Sequence, residues 1–174
     1  MRKHFELTEE FKVNFFGVKV FRIKATQKIK NIKVGELGGF VEKLENLSGD
    51  AWVYGDAEVS GNAWVSGNAR VYGDARVYGD ARVSGNAWVS GDAEVSGDAE
   101  LKSDNDICWF SKFGSNNRTT TFFKTKQNKI KVKCGCFFGT ILEFKSKVKE
   151  THKGNKFEKE YLAMAKLAEI KLKN

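Results

Sequence analysis

From Gly49 to Lys102 the chain repeats a six-residue frame of apolar and polar positions: Gly, Asp or Asn, Ala, any residue, Val or Leu, then Ser, Tyr or a final Lys. Nine units follow one another: GDAWVY, GDAEVS, GNAWVS, GNARVY, GDARVY, GDARVS, GNAWVS, GDAEVS and GDAELK. Read as a short strand, a stretch such as Ala75, Arg76, Val77 and Tyr78 puts Ala75 and Val77 on one face and Arg76 and Tyr78 on the other. Ala and Val are the inside. Between strands, Gly tolerates positive φ and Asp or Asn bonds its own backbone, which makes a corner. A flat strand and a corner at every unit close into a three-sided prism, a β-helix.

The flanks follow other patterns. Phe11, Val13 and Phe15 share one strand face, and Lys19, Phe21 and Ile23 share another after Gly17, which predicts a β-hairpin around Phe16 and Gly17. Behind the repeats, 119–125 and 130–134 predict two strands joined by Lys126 to Lys129. Thr140 to Glu143 forms a capping box, so a helix starts there with Ile141, Phe144 and Val148 on one stripe and ends at Lys153 to Asn155. A second helix over 157–172 carries Tyr161, Ala165, Ala168 and Leu172 at helical spacing.

The spacing of an aliphatic residue followed four places later by a small one, as Val71 is followed by Ala75, resembles the hexapeptide pattern of left-handed β-helices. That resemblance implies coils of eighteen residues, and the outward positions can be sorted accordingly. Trp52, Arg70 and Trp88 stack on one face, Glu58, Arg76 and Glu94 on the second, and Trp64, Arg82 and Glu100 on the third. Each Arg then has only aromatic or acidic neighbours about 4.8 Å away. Stacking by six or twelve residues would instead bring arginines among Arg70, Arg76 and Arg82 into register with one another. Stepping by six reaches Val41, Leu47 and Ile107, which extends the prism to Leu37–Cys108, about four coils, with the small inward position degraded to Gly39, Glu45 and Asn105 at its ends. The expected architecture is mainly β: a left-handed parallel β-helix over 37–108, an N-terminal β-hairpin cap over 1–36 and a small C-terminal α+β (ββαα) unit over 109–174 that plugs the open strand edges.

Charge divides along the same boundaries. Residues 1–36 carry net +5, 37–108 net −8 and 109–174 net +11, within a total of +8 for 174 residues. An acidic prism lies between two basic ends. With no long apolar run, no signal-peptide pattern at the start and three cysteines, the expectation is a soluble cytoplasmic protein, without membrane attachment, in a reducing compartment.

The segments VGELGGFVEKLENLS (34–48), TTTFFKT (119–125) and GCFFGTILEFKSKVKETHKGNKFEKEYLAMAKLAEIKL (135–172) resemble a family of uncharacterised proteins encoded in bacteriophages and prophages. Many left-handed β-helices transfer acetyl groups from coenzyme A with a His base near the coils. Here His4 and His152 are the only histidines and neither lies in the repeats, so no catalytic residue is assigned. Ser103 to Asn105 and Ser146 to Lys149 match β-lactamase fragments in the wrong order and without the third motif. Cys108, Cys134 and Cys136 give fewer thiolates than a structural zinc uses, and Asp56, Asp74 and Asp92 in one corner column are expected to bond turn amides, so no metal or cofactor is expected.

Two binding surfaces are predicted. Trp52, Tyr54, Arg70, Tyr72 and Trp88 cluster aromatic rings around an Arg, the residue types that dominate interfaces. Lys129, Lys131 and Lys133 alternate along one strand with Arg118, Lys124 and Lys126 nearby, a stripe able to track phosphates of nucleic acid or nucleotide. The expected function is a non-enzymatic phage-derived binding protein, in its sharpest form an inhibitor of a host defence complex such as a CRISPR-like nuclease. Alternatives are sequestration of a small anionic ligand such as a nucleotide signal, or a structural phage part. Self-association into a homo-oligomer would equally cover the aromatic face.

Overall fold

The computed structural model describes residues Lys3–Lys173. Phe5–Val13 (β1) and Lys19–Ala25 (β2) form the expected hairpin, followed by Leu37–Val41 (β3). Nine two-residue strands then occupy the repeats: Trp52–Val53 (β4), Glu58–Val59 (β5), Trp64–Val65 (β6), Arg70–Val71 (β7), Arg76–Val77 (β8), Arg82–Val83 (β9), Trp88–Val89 (β10), Glu94–Val95 (β11) and Glu100–Leu101 (β12). The C-terminal unit contains Ile107–Phe113 (β13), Arg118–Lys124 (β14), Ile130–Cys134 (β15), Phe137–Thr140 (β16) and the helices Ile141–His152 (α1) and Lys156–Leu172 (α2).

The repeats form a β-solenoid of about three turns. Its strands pair in parallel, Trp52 with Arg70 with Trp88, Glu58 with Arg76 with Glu94, and Trp64 with Arg82 with Glu100, so each residue meets the one eighteen positions on. Every Ala and Val of the repeats is buried and joins one core. At the corners, the Ala amide bonds back across the turn, as Ala51 N–H does to the Ser48 carbonyl at 3.3 Å. Gly67 shows why the corner needs Gly: its φ is +63°, and an added Cβ would stand 3.1 Å from the Gly85 nitrogen of the next coil.

The hairpin does more than cap. The sheet order β1-β2-β3-β5-β8-β11 makes it an antiparallel extension of the solenoid's second face. Between β2 and β3, Ile29 and Ile32 bond to each other through their backbones and bury their side chains in the solenoid core.

Both solenoid ends depart from the expected prism. Residues Leu44–Asn46 and Asp104–Asp106 are 3-10 turns, so Glu45 and Asn105 face solvent and take no inward position. Ile107 and Cys108 belong to β13, an antiparallel strand of the next unit, because the chain has no further Gly corner there to continue the coil. Side chains replace the missing coils. At the first end the buried Asn46 amide donates to the carbonyls of Ala63 (2.8 Å) and Gly61 (3.2 Å), and Glu42 accepts from the Gly61 amide. At the other end Asp104 accepts from the Trp88 amide at 2.7 Å and Thr121 Oγ1 from the Glu94 amide at 3.1 Å. These contacts satisfy strand edges that would otherwise pair with another chain.

The C-terminal unit is a four-stranded meander with two helices, not the expected ββαα. The two unpredicted strands lie outside the alternating runs: β13 continues the solenoid, and β16 reads FFGT with Phe137 and Phe138 on opposite faces. Strand β14 divides its aromatics between two cores. Phe123 closes the end of the solenoid core, while Phe122 packs with Phe144, Tyr161 and Met164 of the helices. Helix α1 has the expected capping box at Thr140 and Glu143, and Lys153 ends it in the left-handed region at φ +44°.

Candidate functional site

The first face of the solenoid carries the aromatic cluster, and the structure divides it. Trp52 is fully buried beneath His4, whose Nε2 donates to the Ala51 carbonyl at 3.0 Å, so it belongs to the core. Arg70 is buried as well, and its Nη1 donates to the carbonyls of Asp50, Asn68 and Ala69. The guanidinium is therefore committed to this chain's backbone and is not poised for a partner's carboxylate. Tyr54 and Tyr72 stack with centroids 4.4 Å apart and planes 3° apart, and Trp88 continues the column at 5.7 Å with its ring tilted by 52°. Trp88 alone of the three lies largely in solvent, 53% exposed.

Around this column runs a groove of about 510 Å3 lined also by Lys30, Asn31, Asn68, Asn86 and Asp104. The loop pinned by Ile29 and Ile32 presents Lys30, which donates to Asn68 Oδ1 at 2.7 Å, and Asn68 donates to Asn86 Oδ1 at 3.2 Å. Burial, together with the adjacent Tyr72, pushes the Tyr54 phenol above its ordinary value, against the opposing pull of Arg70. Sequence reasoning missed these polar residues. Asn68, Asn86 and Asp104 were within its reach, since adding eighteen to Asp50 yields the column 50, 68, 86, 104; Lys30 gave no such signal.

The predicted lysine stripe is not one surface. Lys124 pairs with Asp106 at 3.1 Å, Lys131 with Asp98 at 2.7 Å and Lys133 with Glu94 at 3.6 Å, so three of the six cations join the C-terminal sheet to the acidic end of the solenoid. Burial works to raise the Asp106 carboxyl, but the amides of Lys102 and Ser103 and the Lys124 ammonium outweigh it and hold the group below its ordinary value. Lys126 and Lys129 remain exposed at the turn after β14, and Arg118 lies at the opposite end of that strand. Of the predicted Arg ladders, Arg76 pairs with Glu94 at 3.8 Å, while Glu58 is taken by Lys12 of the hairpin at 2.9 Å.

Burial is the main cause that lowers the proton affinity of His4, opposed by its bond to the Ala51 carbonyl. His152 stacks on Tyr161 at 5.3 Å beside the end of α1. Burial pushes the Cys108 thiol up to about 11, while Cys136 is exposed. Among the described residues no group of three or more His, Cys, Asp or Glu could hold a metal ion, and no helix is long and apolar enough to cross a membrane. The corner amides of Asp56 and Asp74 bond the carbonyls of Gly73 and Gly91, each at 3.1 Å, so the ladder itself satisfies them.

Residues 63–79 and 75–91, both within the regular coils, match the YdcK beta solenoid repeat, which the chain is thus similar to over this stretch. No curated protein matches the chain.

Proposed function

We propose that this chain is a non-enzymatic binding protein that recognises a protein partner through the first face of its solenoid. Tyr54, Tyr72 and Trp88 are the contact residues, with Lys30, Asn31, Asn86 and Asp104 as the polar rim. The observation that carries this reading is Trp88. It is an indole 53% exposed at the open end of a stacked aromatic column, on a rigid strand rather than a loop. Trp and Tyr supply large contact areas at low entropic cost and dominate interface energetics. A non-catalytic role is supported by the histidines: one is buried under a backbone carbonyl and the other is stacked on a Tyr outside the groove.

In its finer form the reading is of a left-handed hexapeptide solenoid of about four coils, of phage or prophage origin. It would act in the bacterial cytoplasm on a host defence nuclease complex. The Val71 and Ala75 spacing and the flanking segments 34–48 and 119–125 support that form.

The test is recovery of a tagged chain from its own cells beside a Tyr72→Ala, Trp88→Ala variant of equal melting temperature. A protein retained by the parent and lost by the variant is expected. Equal retention, or dissociation of a homodimer by the variant, overturns recognition at this face.

A further inference from the structure

A second groove lies over the solenoid's second face, away from the proposed recognition surface. It has a volume of about 380 Å3, and three parts of the fold meet there: Arg76 and Glu94 on the solenoid, Phe15 and Phe16 at the hairpin tip, and Arg118 and Lys133 on the C-terminal sheet, with Cys136 beside them.

Its charges do not balance. Arg76 and Lys133 reach the same carboxylate, Glu94, at 3.8 and 3.6 Å, and the Tyr78 hydroxyl donates to it at 3.1 Å. Among the described residues Arg118 makes no ion pair within 4.0 Å. The adjoining cleft adds Asp92 and Lys112, which are opposite in sign. One carboxylate thus faces three cations, which leaves the groove two positive charges in excess. The Arg118 guanidinium approaches the backbone of Gly135, where an added Cβ would overlap Nη1, and Gly135 has φ +57°. Two guanidinium forks and an ammonium around one opening suit a doubly charged oxyanion, the state a phosphate monoester approaches at neutral pH.

The opposite wall is aromatic. Phe16 packs on Tyr78 at 4.7 Å, and Phe15 stands edge-on to Phe16 at 5.5 Å while remaining 84% exposed. An exposed ring on a hairpin anchored at its base offers a stacking surface for a flat heterocycle.

We propose that this groove binds a small organic phosphate that carries a flat ring, the mononucleotide class, with its phosphate on Arg118, Arg76 and Lys133 and its ring on Phe15. Titration calorimetry of the full chain with ADP, pyrophosphate and adenosine tests it. ADP is expected to bind more tightly than pyrophosphate, and both more tightly than adenosine, with affinity falling as salt rises. Arg118→Gln should weaken ADP roughly tenfold at unchanged melting temperature, the loss of one charge-assisted contact. Phe15→Ala should weaken ADP and leave pyrophosphate unchanged, and bound ADP should slow alkylation of Cys136. Trp88→Ala, on the other face, should leave ADP binding intact, which separates this site from the recognition surface. Absence of ADP binding at low salt, or an Arg118→Gln affinity equal to the parent's, overturns the site. Pyrophosphate binding as tight as ADP overturns the ring's place on Phe15.

Discussion

Replacing Arg76 by Glu reverses one charge in the middle of the second-face ladder, where Arg76 is in register with Glu58 on one side and Glu94 on the other. In water, opposite unit charges at the 3.8 Å of the Arg76–Glu94 pair attract by about 1 kcal/mol. A carboxylate one rung, about 4.8 Å, from each neighbour repels each by about 0.9 kcal/mol. Solvent screens these terms, since the Arg76 side chain is 42% exposed. Lys12 beside Glu58 and Lys133 beside Glu94 offset part of the repulsion. The net loss is about 1–2 kcal/mol at low ionic strength. Arg82→Glu is the matched control, because its in-register neighbours are Trp64 and one acid, Glu100, and it should cost about half as much. Urea unfolding followed by circular dichroism, at about 0.01 M and about 1 M salt, reads both variants as the screening length falls from roughly 30 to roughly 3 Å. The gap between them should close at high salt. Equal losses at low salt, or a gap that salt leaves unchanged, would refute the ladder as a source of stability.

Asn46→Ala should cost about 1–3 kcal/mol in the same unfolding assay, because it strands the buried carbonyl of Ala63 and the partly buried one of Gly61 at the first solenoid edge; a smaller loss would mean that the edge is closed by other means. Burial holds His4 below the ordinary imidazole value of about 6.5, so the unfolded chain takes up the proton first as the solution is acidified. Stability should then be full above about pH 6.5 and decline as pH falls toward the lower folded-state value. His4→Gln should flatten the melting-temperature profile over that window, and an unchanged acid slope in the variant would exclude His4 as its source.

The solenoid was legible because its repeats report the same thing at every unit: inward Ala and Val, a Gly corner, and outward residues whose stacking by eighteen alone separates the three arginines. Its ends were less so. The 3-10 turns at Leu44–Asn46 and Asp104–Asp106 keep the six-residue spacing of Leu47 and Ile107, so periodicity ran through them while side chains from distant elements closed the edges. The aromatic cluster was legible as a column but not as a surface. Burial of Trp52 depends on His4, and the commitment of Arg70 depends on carbonyls that only the folded corner presents. The lysine stripe shows the same limit. Alternation placed Lys131 and Lys133 on one side of a strand, but the acids they meet, Asp98 and Glu94, are more than thirty residues away.

The central claim, that the open end of the Tyr54–Tyr72–Trp88 column is a recognition surface for another protein, is tested most directly by a photoreactive phenylalanine analogue in place of Trp88. The chain would be produced in its own cells and irradiated there, with the analogue at Trp64 on the third face as control. The account predicts a cross-link from position 88 to one heterologous protein, absent from position 64. No cross-link from position 88, or one only to a second copy of the same chain, would contradict it.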